Sequence, residues 1–194
     1  EPLLHVIAKI RAERPQLVPQ LLIVDGNGVL HYRGCGLASH LGVVAGIPAI
    51  GCAKTLLAVD GLTRAAVNDM IAVDLPPPPT PSAAVVDGVK PARNRNKNNR
   101  RKAEALSAEP KLYPLTGQSG TLLGYAVLTG NSVKNPIFVS AGHRVSQLTA
   151  ARLAVSMARV RVVEPVRQAD LQSREYIKRV FGSGEASHCD AAAA

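Results

Sequence analysis

Apolar positions along this chain follow two rhythms, one close to a helical turn and one of short unbroken runs, with long stretches that show neither. Between residues 2 and 14, Leu3, Leu4, Ile7 and Ile10 share one stripe. Pro2 suits a first helical position and Pro15 closes the segment, so an amphipathic helix is predicted. QLLIV at 20–24 is short, apolar and partly β-branched, which predicts a buried strand. A second such run in GVVAGIPAIGCAK ends near Lys54, and residues 36–45 between the two predict a helix. Strand, helix, strand in that order makes the two strands parallel. TLLGYAV at 121–127 and PIFVS at 136–140 predict further strands. SQLTAARLAVSMARV predicts a helix capped by Ser146, and QADLQSREYIKRVF predicts a last helix.

Residues 75–112 interrupt this order. PPPPTPS is polyproline-like, RNRNKNNRRK at 93–102 holds no apolar residue, and AEALSAE is polar and short, so the whole reads as a disordered insert. GSGEASHCDAAAA at 182–194 reads as a frayed tail. The expected organisation is therefore one domain formed by residues 1–74 and 113–181. Its class is α/β, a mixed sheet flanked by helices.

Composition changes this picture little. With 194 residues and 46% hydrophobic content the chain can bury one sizeable core. No run of apolar residues is long enough to span a bilayer, and EPLLHVIAKIRAERP lacks the layout of a secretory signal. An intracellular protein without membrane contact is expected. Cys35, Cys52 and Cys189 have no metal-ligand spacing and cannot all pair, which suits a reducing compartment. The formal charge is +9, but six cations sit in residues 93–102, leaving +3 for the rest. That basicity belongs to a solvated tract first. A nuclear-import signal or a phosphate-binding arm is the functional alternative.

Candidate chemistry collects at strand ends. In open α/β sheets, reactive groups gather beyond the carboxyl ends of parallel strands, and Asp25 ends such a strand. A carboxylate there can bind Mg²⁺, although one is few, and an Asp-Gly pair is also an ordinary turn. Gly26, Gly28, Gly34 and Gly36 match neither GxGxxG nor GxxxxGK[ST]. They serve either tight turns or close approach of backbone to a flat ligand. Lys54 follows the second strand, where its ammonium is either a partner for phosphate or simply solvated. His143, in SAGHR, follows a third apolar run. No GxSxG or HExxH is present, so covalent acyl chemistry and zinc proteolysis have no support. If one sheet edge held Asp25, Lys54 and His143, metal-assisted phosphodiester hydrolysis would suit them better than acyl transfer, because charge developing on phosphorus needs cations around it.

The blocks VDGNGVLHYRGCGLASHLGV, IPAIGCAKTLL, YPLTGQSGTLLGYAV, IFVSAGHRVS and VVEPVRQADLQSREYI together resemble the endonuclease V family in its animal form. The resemblance implies an RNase H-like fold, Mg²⁺ or Mn²⁺ as cofactor, and cleavage of the second phosphodiester bond 3′ to a hypoxanthine nucleotide, leaving 3′-hydroxyl and 5′-phosphate ends. It implies inosine-containing single-stranded RNA or DNA as partner, a monomer, and a place in the cytoplasm and the nucleus or nucleolus. Asn27, where bacterial members usually carry histidine, fits the animal branch. The same resemblance makes Asp25 a metal-binding carboxylate, Lys54 a partner of the scissile phosphate, and His143 a metal-site histidine that assists the attacking water. It makes Gly26, Asn27, Gly28 and Gly36 the wall of a pocket for the flipped base and puts His31 and Arg33 near the nucleic-acid backbone.

Two family features are missing from this sequence: an upstream strand with another metal-binding Asp, and a PYxP-type wedge motif. In the family's FRExP pattern Pro2 stands two residues after the metal-binding Glu, which places that Glu just before Glu1. A member lacking the first strands of the fold is expected, one that folds poorly by itself and has little or no activity. A binding module without catalysis and an inactive fragment are the alternatives, and Asp25→Ala separates the binder from the enzyme.

Overall fold

A computed structural model describes residues 2–74, 110–129 and 135–181. The predicted tail and most of the predicted insert, including the basic tract, lie outside the described residues. Five strands form one mixed sheet: β1 (Leu22–Asp25), β2 (Ala49–Ala53), β3 (Lys111–Thr116), β4 (Leu122–Leu128) and β5 (Ile137–His143), in the spatial order β1-β2-β5-β4-β3. β1 and β2 are parallel, joined through α2 (Leu37–Ala45), as the strand–helix–strand pattern requires. All other pairings are antiparallel. The expected α/β class, a mixed sheet flanked by helices, is what the chain forms.

Each face of the sheet has its own apolar layer. On one face, Ile50, Cys52, Val127 and Val139 meet Ala150, Ala151 and Ala154 of α4 (Gln147–Ser156) and Val166 of α5 (Glu164–Phe181). The small alanines let α4 lie close to the strands. Ser146 caps α4 as predicted, its Oγ accepting the N–H of Thr149 at 3.1 Å. On the other face, Val24 of β1 packs with Ile7 of α1 (Pro2–Glu13) and with Ala38, Leu41 and Ala45 of α2. The rest of that face is covered by Val67 and Ile71 of α3 (Arg64–Asp74), over Leu115, Ala126 and Phe138.

The structure departs from the sequence expectation in three places. Helix α3 is additional to the predicted elements; its sequence RAAVNDMIAVD buries only Val67 and Ile71, a thin apolar stripe. Strand β3 begins at Lys111, so Lys111 and Leu112 belong to the sheet and not to the insert. Pro114 stands within β3, and it is tolerated because β3 is an edge strand, where one missing N–H costs no ladder bond. Finally, α4 ends at Ser156, short of the predicted end near Val160, and α5 starts at Glu164, ahead of the predicted Gln168.

A polar tie joins α3 to β3. Tyr113 donates its hydroxyl proton to Asp74 Oδ2 at 2.9 Å, and Lys111 Nζ lies 3.0 Å from the same oxygen. Hydrogen bonds from Lys111 and then Tyr113 hold the Asp74 carboxyl below its ordinary range. Burial and, after it, the bond to Asp74 push the Tyr113 phenol up to about 12 from 10.0. A raised folded-state pKa means that the proton is held more tightly in the folded form. Its contribution is therefore complete below pH 10.0 and is lost as pH rises toward about 12. Tyrosinate absorbance during an alkaline titration should show one of the four tyrosines ionising late, and Tyr113→Phe should remove that late step.

Candidate active site

Parallel pairing brings two of the predicted residues together. Asp25 ends β1 in register with Cys52 of β2, and Lys54 follows β2 immediately. The Lys54 ammonium lies 3.4 Å from Asp25 Oδ2, with side chains 42% and 52% exposed. An ion pair this open contributes only about 0–1 kcal/mol, so stability does not explain it. It leaves a carboxylate oxygen and an ammonium side by side at the strand ends, reachable by a phosphate.

Arg161 supports this edge and carries no signal in the sequence. Its Nε donates to Asn135 O at 2.9 Å, and its Nη2 donates to Lys54 O at 3.1 Å and Pro136 O at 3.2 Å. One guanidinium thus ties the exit of β2 to the entry of β5. It comes from the turn before α5, a segment without periodicity, so nothing short of the fold would reveal it.

His143 is not at this edge. β5 runs antiparallel to β2, so the carboxyl end of β5 lies beside Ala49, where β2 begins. Since Asp25 pairs with Cys52 and His143 with Ala49, their Cα atoms are separated by three residue steps, roughly 10 Å, and two strand spacings, roughly 10 Å. His143 packs instead against α2, where a Cβ on Gly42 would lie 2.5 Å from its own. The expectation that all three groups share one edge therefore fails on strand direction. Among the described residues no three His, Cys, Asp or Glu side chains gather as a metal cluster. The open Asp25 carboxylate fits a hard cation that draws further ligands from phosphate oxygens and water, and the described residues do not form a closed cage.

The glycine block folds back across the sheet. Gly26 donates its N–H to Cys52 O at 3.4 Å, Gly28 to Ser140 Oγ at 2.8 Å, and Val29 to Ala141 O at 2.8 Å. The chain crosses β2 at Gly51, where a Cβ would stand 2.5 Å from both Gly26 O and Gly28 N. A Cβ on Gly28 would stand 2.0 Å from Ala141 O, and one on Gly36 would stand 2.3 Å from Asn27 O. The side-chain direction at Gly28 and Gly36 is therefore filled by the protein's own backbone, so the absence of a side chain there serves packing. A Cβ added at Gly26, where φ is +153°, would meet nothing closer than 3.9 Å, so there is space on that side. Asn27 accepts the N–H of Ala38 through its carbonyl, while its side-chain Oδ1 is buried with no hydrogen-bond partner among the described residues.

Beyond the crossing, Leu30 is fully buried in the same cluster as Ala53 and Phe138, and His31, Tyr32 and Arg33 form the tip. Cys35 is exposed and Cys52 is buried, both as free thiols. Burial, with a smaller push from the Asp25 charge, raises the Cys52 thiol to about 12, so Cys52 is inert beside the site. Gly51→Ala should lower unfolding free energy by about 1–3 kcal/mol in a denaturant titration, because the loop must lift off β2 to admit the methyl group. Wild-type stability in that variant would show that the crossing is loose.

Comparison with known proteins identifies the family and the fold. The family model for Endonuclease V matches residues 1–171. Mouse Endonuclease V is 39% identical over 93% of this chain and 44% of its own length, and human Endonuclease V is 38% identical over 93% and 53%. The chain thus spans about half the length of the curated relatives it matches. The crystal structure of the catalytic domain of human Endonuclease V superposes with a TM-score of 0.73 at 39% identity, over 93% of this chain and 61% of that one. Endonuclease V of Ciona intestinalis, in complex with a 23mer DNA containing an inosine followed by a ribo-adenosine, superposes with a TM-score of 0.69 at 30% identity, over 92% and 63%. With a matched family model over most of its residues, relatives approaching two-fifths identity and one shared architecture, the chain belongs to the Endonuclease V family.

Proposed function

We propose that the protein is a divalent-cation-dependent endonuclease that cuts the second phosphodiester bond 3′ to inosine in single-stranded RNA or to deoxyinosine in DNA, leaving 3′-hydroxyl and 5′-phosphate ends. The observation that carries this reading is the Asp25–Lys54 pair, 3.4 Å apart at the carboxyl ends of adjacent parallel strands in a chain of this family. The inosine-containing DNA held by the Ciona relative supports the substrate class.

Asp25 is the residue that would hold Mg²⁺ or Mn²⁺. Such an ion, when bound, polarises the phosphodiester and favours deprotonation of an attacking water. Lys54 sets its ammonium against the phosphate oxygens and offsets charge that builds there. Its main chain is held by Arg161, which keeps the ammonium in place. The reading leaves His143, at the far end of β5, outside this pair.

One observation favours a second reading, a module that binds inosine-containing strands without cutting them: among the described residues no three His, Cys, Asp or Glu side chains gather into a metal-holding group. The two readings separate on a single variant. With a labelled inosine-containing RNA and Mg²⁺, Asp25→Ala should cut at a rate lower by about a hundredfold or more while retaining most of its affinity for the strand. An unchanged rate would remove Asp25 from the mechanism, and absence of cleavage by the wild-type protein would leave the binding module.

A further inference from the structure

The loop that follows the crossing ends in an arrangement that neither the phosphate edge nor the glycine packing uses. Gly36 donates its N–H to Gly28 O at 2.8 Å, which closes the loop at its base. Within the tip, the His31 N–H donates to Val29 O at 2.7 Å, Gly34 donates to His31 O at 2.8 Å, and the Arg33 N–H meets His31 Nδ1 at 3.3 Å. Leu30 anchors the whole in the core. The tip is therefore a closed, pinned turn.

On that turn three flat groups lie together. The His31 and Tyr32 rings have centroids 4.1 Å apart at 32°, and the Arg33 guanidinium carbon sits 5.2 Å from the Tyr32 ring centre. Arg33 Nη2 also donates to the Tyr32 hydroxyl at 3.2 Å. Yet Tyr32 is 67% exposed. The chain has only four tyrosines, two phenylalanines and no tryptophan, so few rings are available to meet a base. Tyr113 and Phe138 are buried in the sheet, Tyr125 is half-buried on β4, and Tyr176 and Phe181 stand exposed on α5. Tyr32 is the aromatic side chain on the loop that leaves Asp25.

We propose that Tyr32, held by His31 and Arg33, is a stacking platform for an unpaired base next to the inosine in the single-stranded substrate. The proposal rests on the reading of the protein as one that binds inosine-containing strands. Its physical basis is general: every base offers a π face, an aromatic side chain held in place by its neighbours loses little entropy on stacking, and adjacent cationic groups meet the phosphates of the same nucleotide. A pinned tip also suits a single strand, whose bases can splay out, better than a duplex, whose bases are already stacked.

Because the chain lacks tryptophan, Tyr32→Trp places a single indole fluorophore at the tip. Titrating that variant with an inosine-containing single-stranded RNA should quench its emission, and the quench should vanish when the nucleotides flanking the inosine are abasic. By fluorescence anisotropy, Tyr32→Ala should weaken binding about tenfold or more, while Tyr32→Phe stays within about twofold of wild type. A Tyr32→Ala protein that binds as tightly as wild type, or an indole emission unmoved in a saturated complex of the Tyr32→Trp variant, overturns the platform. The same titrations against a guanosine-containing strand separate the two claims. If wild type shows no preference for inosine but Tyr32→Ala still weakens binding, the platform stands and the inosine reading falls; if wild type binds neither strand, both fall.

Discussion

The main chain from Gly26 to Val29 lies flat across β2 at Gly51, so close that a methyl group on Gly51 would overlap Gly26 O and Gly28 N at 2.5 Å. Two hydrogen bonds, from Gly28 to Ser140 Oγ, which is buried, and from Val29 to Ala141 O, fasten the far side of the crossing to β5. The loop's position follows from that contact. It turns the chain away from β1 directly after Asp25, leaving the carboxylate at the strand end. It also seats Leu30 in the core with Ala53, next to Lys54, and starts α2 where the carbonyl of Asn27 accepts the N–H of Ala38. Remove the bare surface at Gly51 and the loop, the helix start and the tip must all move together.

Much of this fold could be read from the chain, for a definite reason in each case. β1, α2 and β2 declare themselves because a parallel pair is buried on both faces and so reads as unbroken apolar runs, and because a crossover of that length needs a helix. The capped start of α4 is legible because Ser146 precedes a helical spacing. By contrast, β3 carries Pro114 and sits beside a polar tract, and only its place at the edge of the sheet makes that sequence a strand. Helix α3 buries two residues and so leaves almost no periodicity. Edge position and light burial are tertiary properties, which local spacing does not encode.

The candidate site divides in the same way. Asp25 and Lys54 meet because parallel strands put their carboxyl ends on one side, a consequence already contained in the strand–helix–strand pattern. His143 also ends an apolar run, but no pattern of residues states whether that run points up or down the sheet. Its antiparallel direction carries it to the opposite end. The glycines resolve one by one: Gly28 and Gly36 are consumed by backbone packing, whereas Gly26 retains free space. Arg161 is hidden from sequence reading because its work is done entirely on carbonyl groups, which any exposed arginine can do and no motif advertises.

The electrostatics of Asp25 depend on which neighbours β1 has. Among the described residues β1 pairs with β2 only, so its second edge presents unpaired backbone beside Leu22 and Ile23, each half-buried. Parallel strands are ordinarily covered on both faces and flanked on both edges, and an apolar strand with one open edge is the kind that accepts a further strand. On its paired side Asp25 has Lys54, an ammonium that already balances its charge, and burial keeps the Cys52 thiol neutral. Asp25 therefore takes its charge balance from the strand it pairs with, through Lys54.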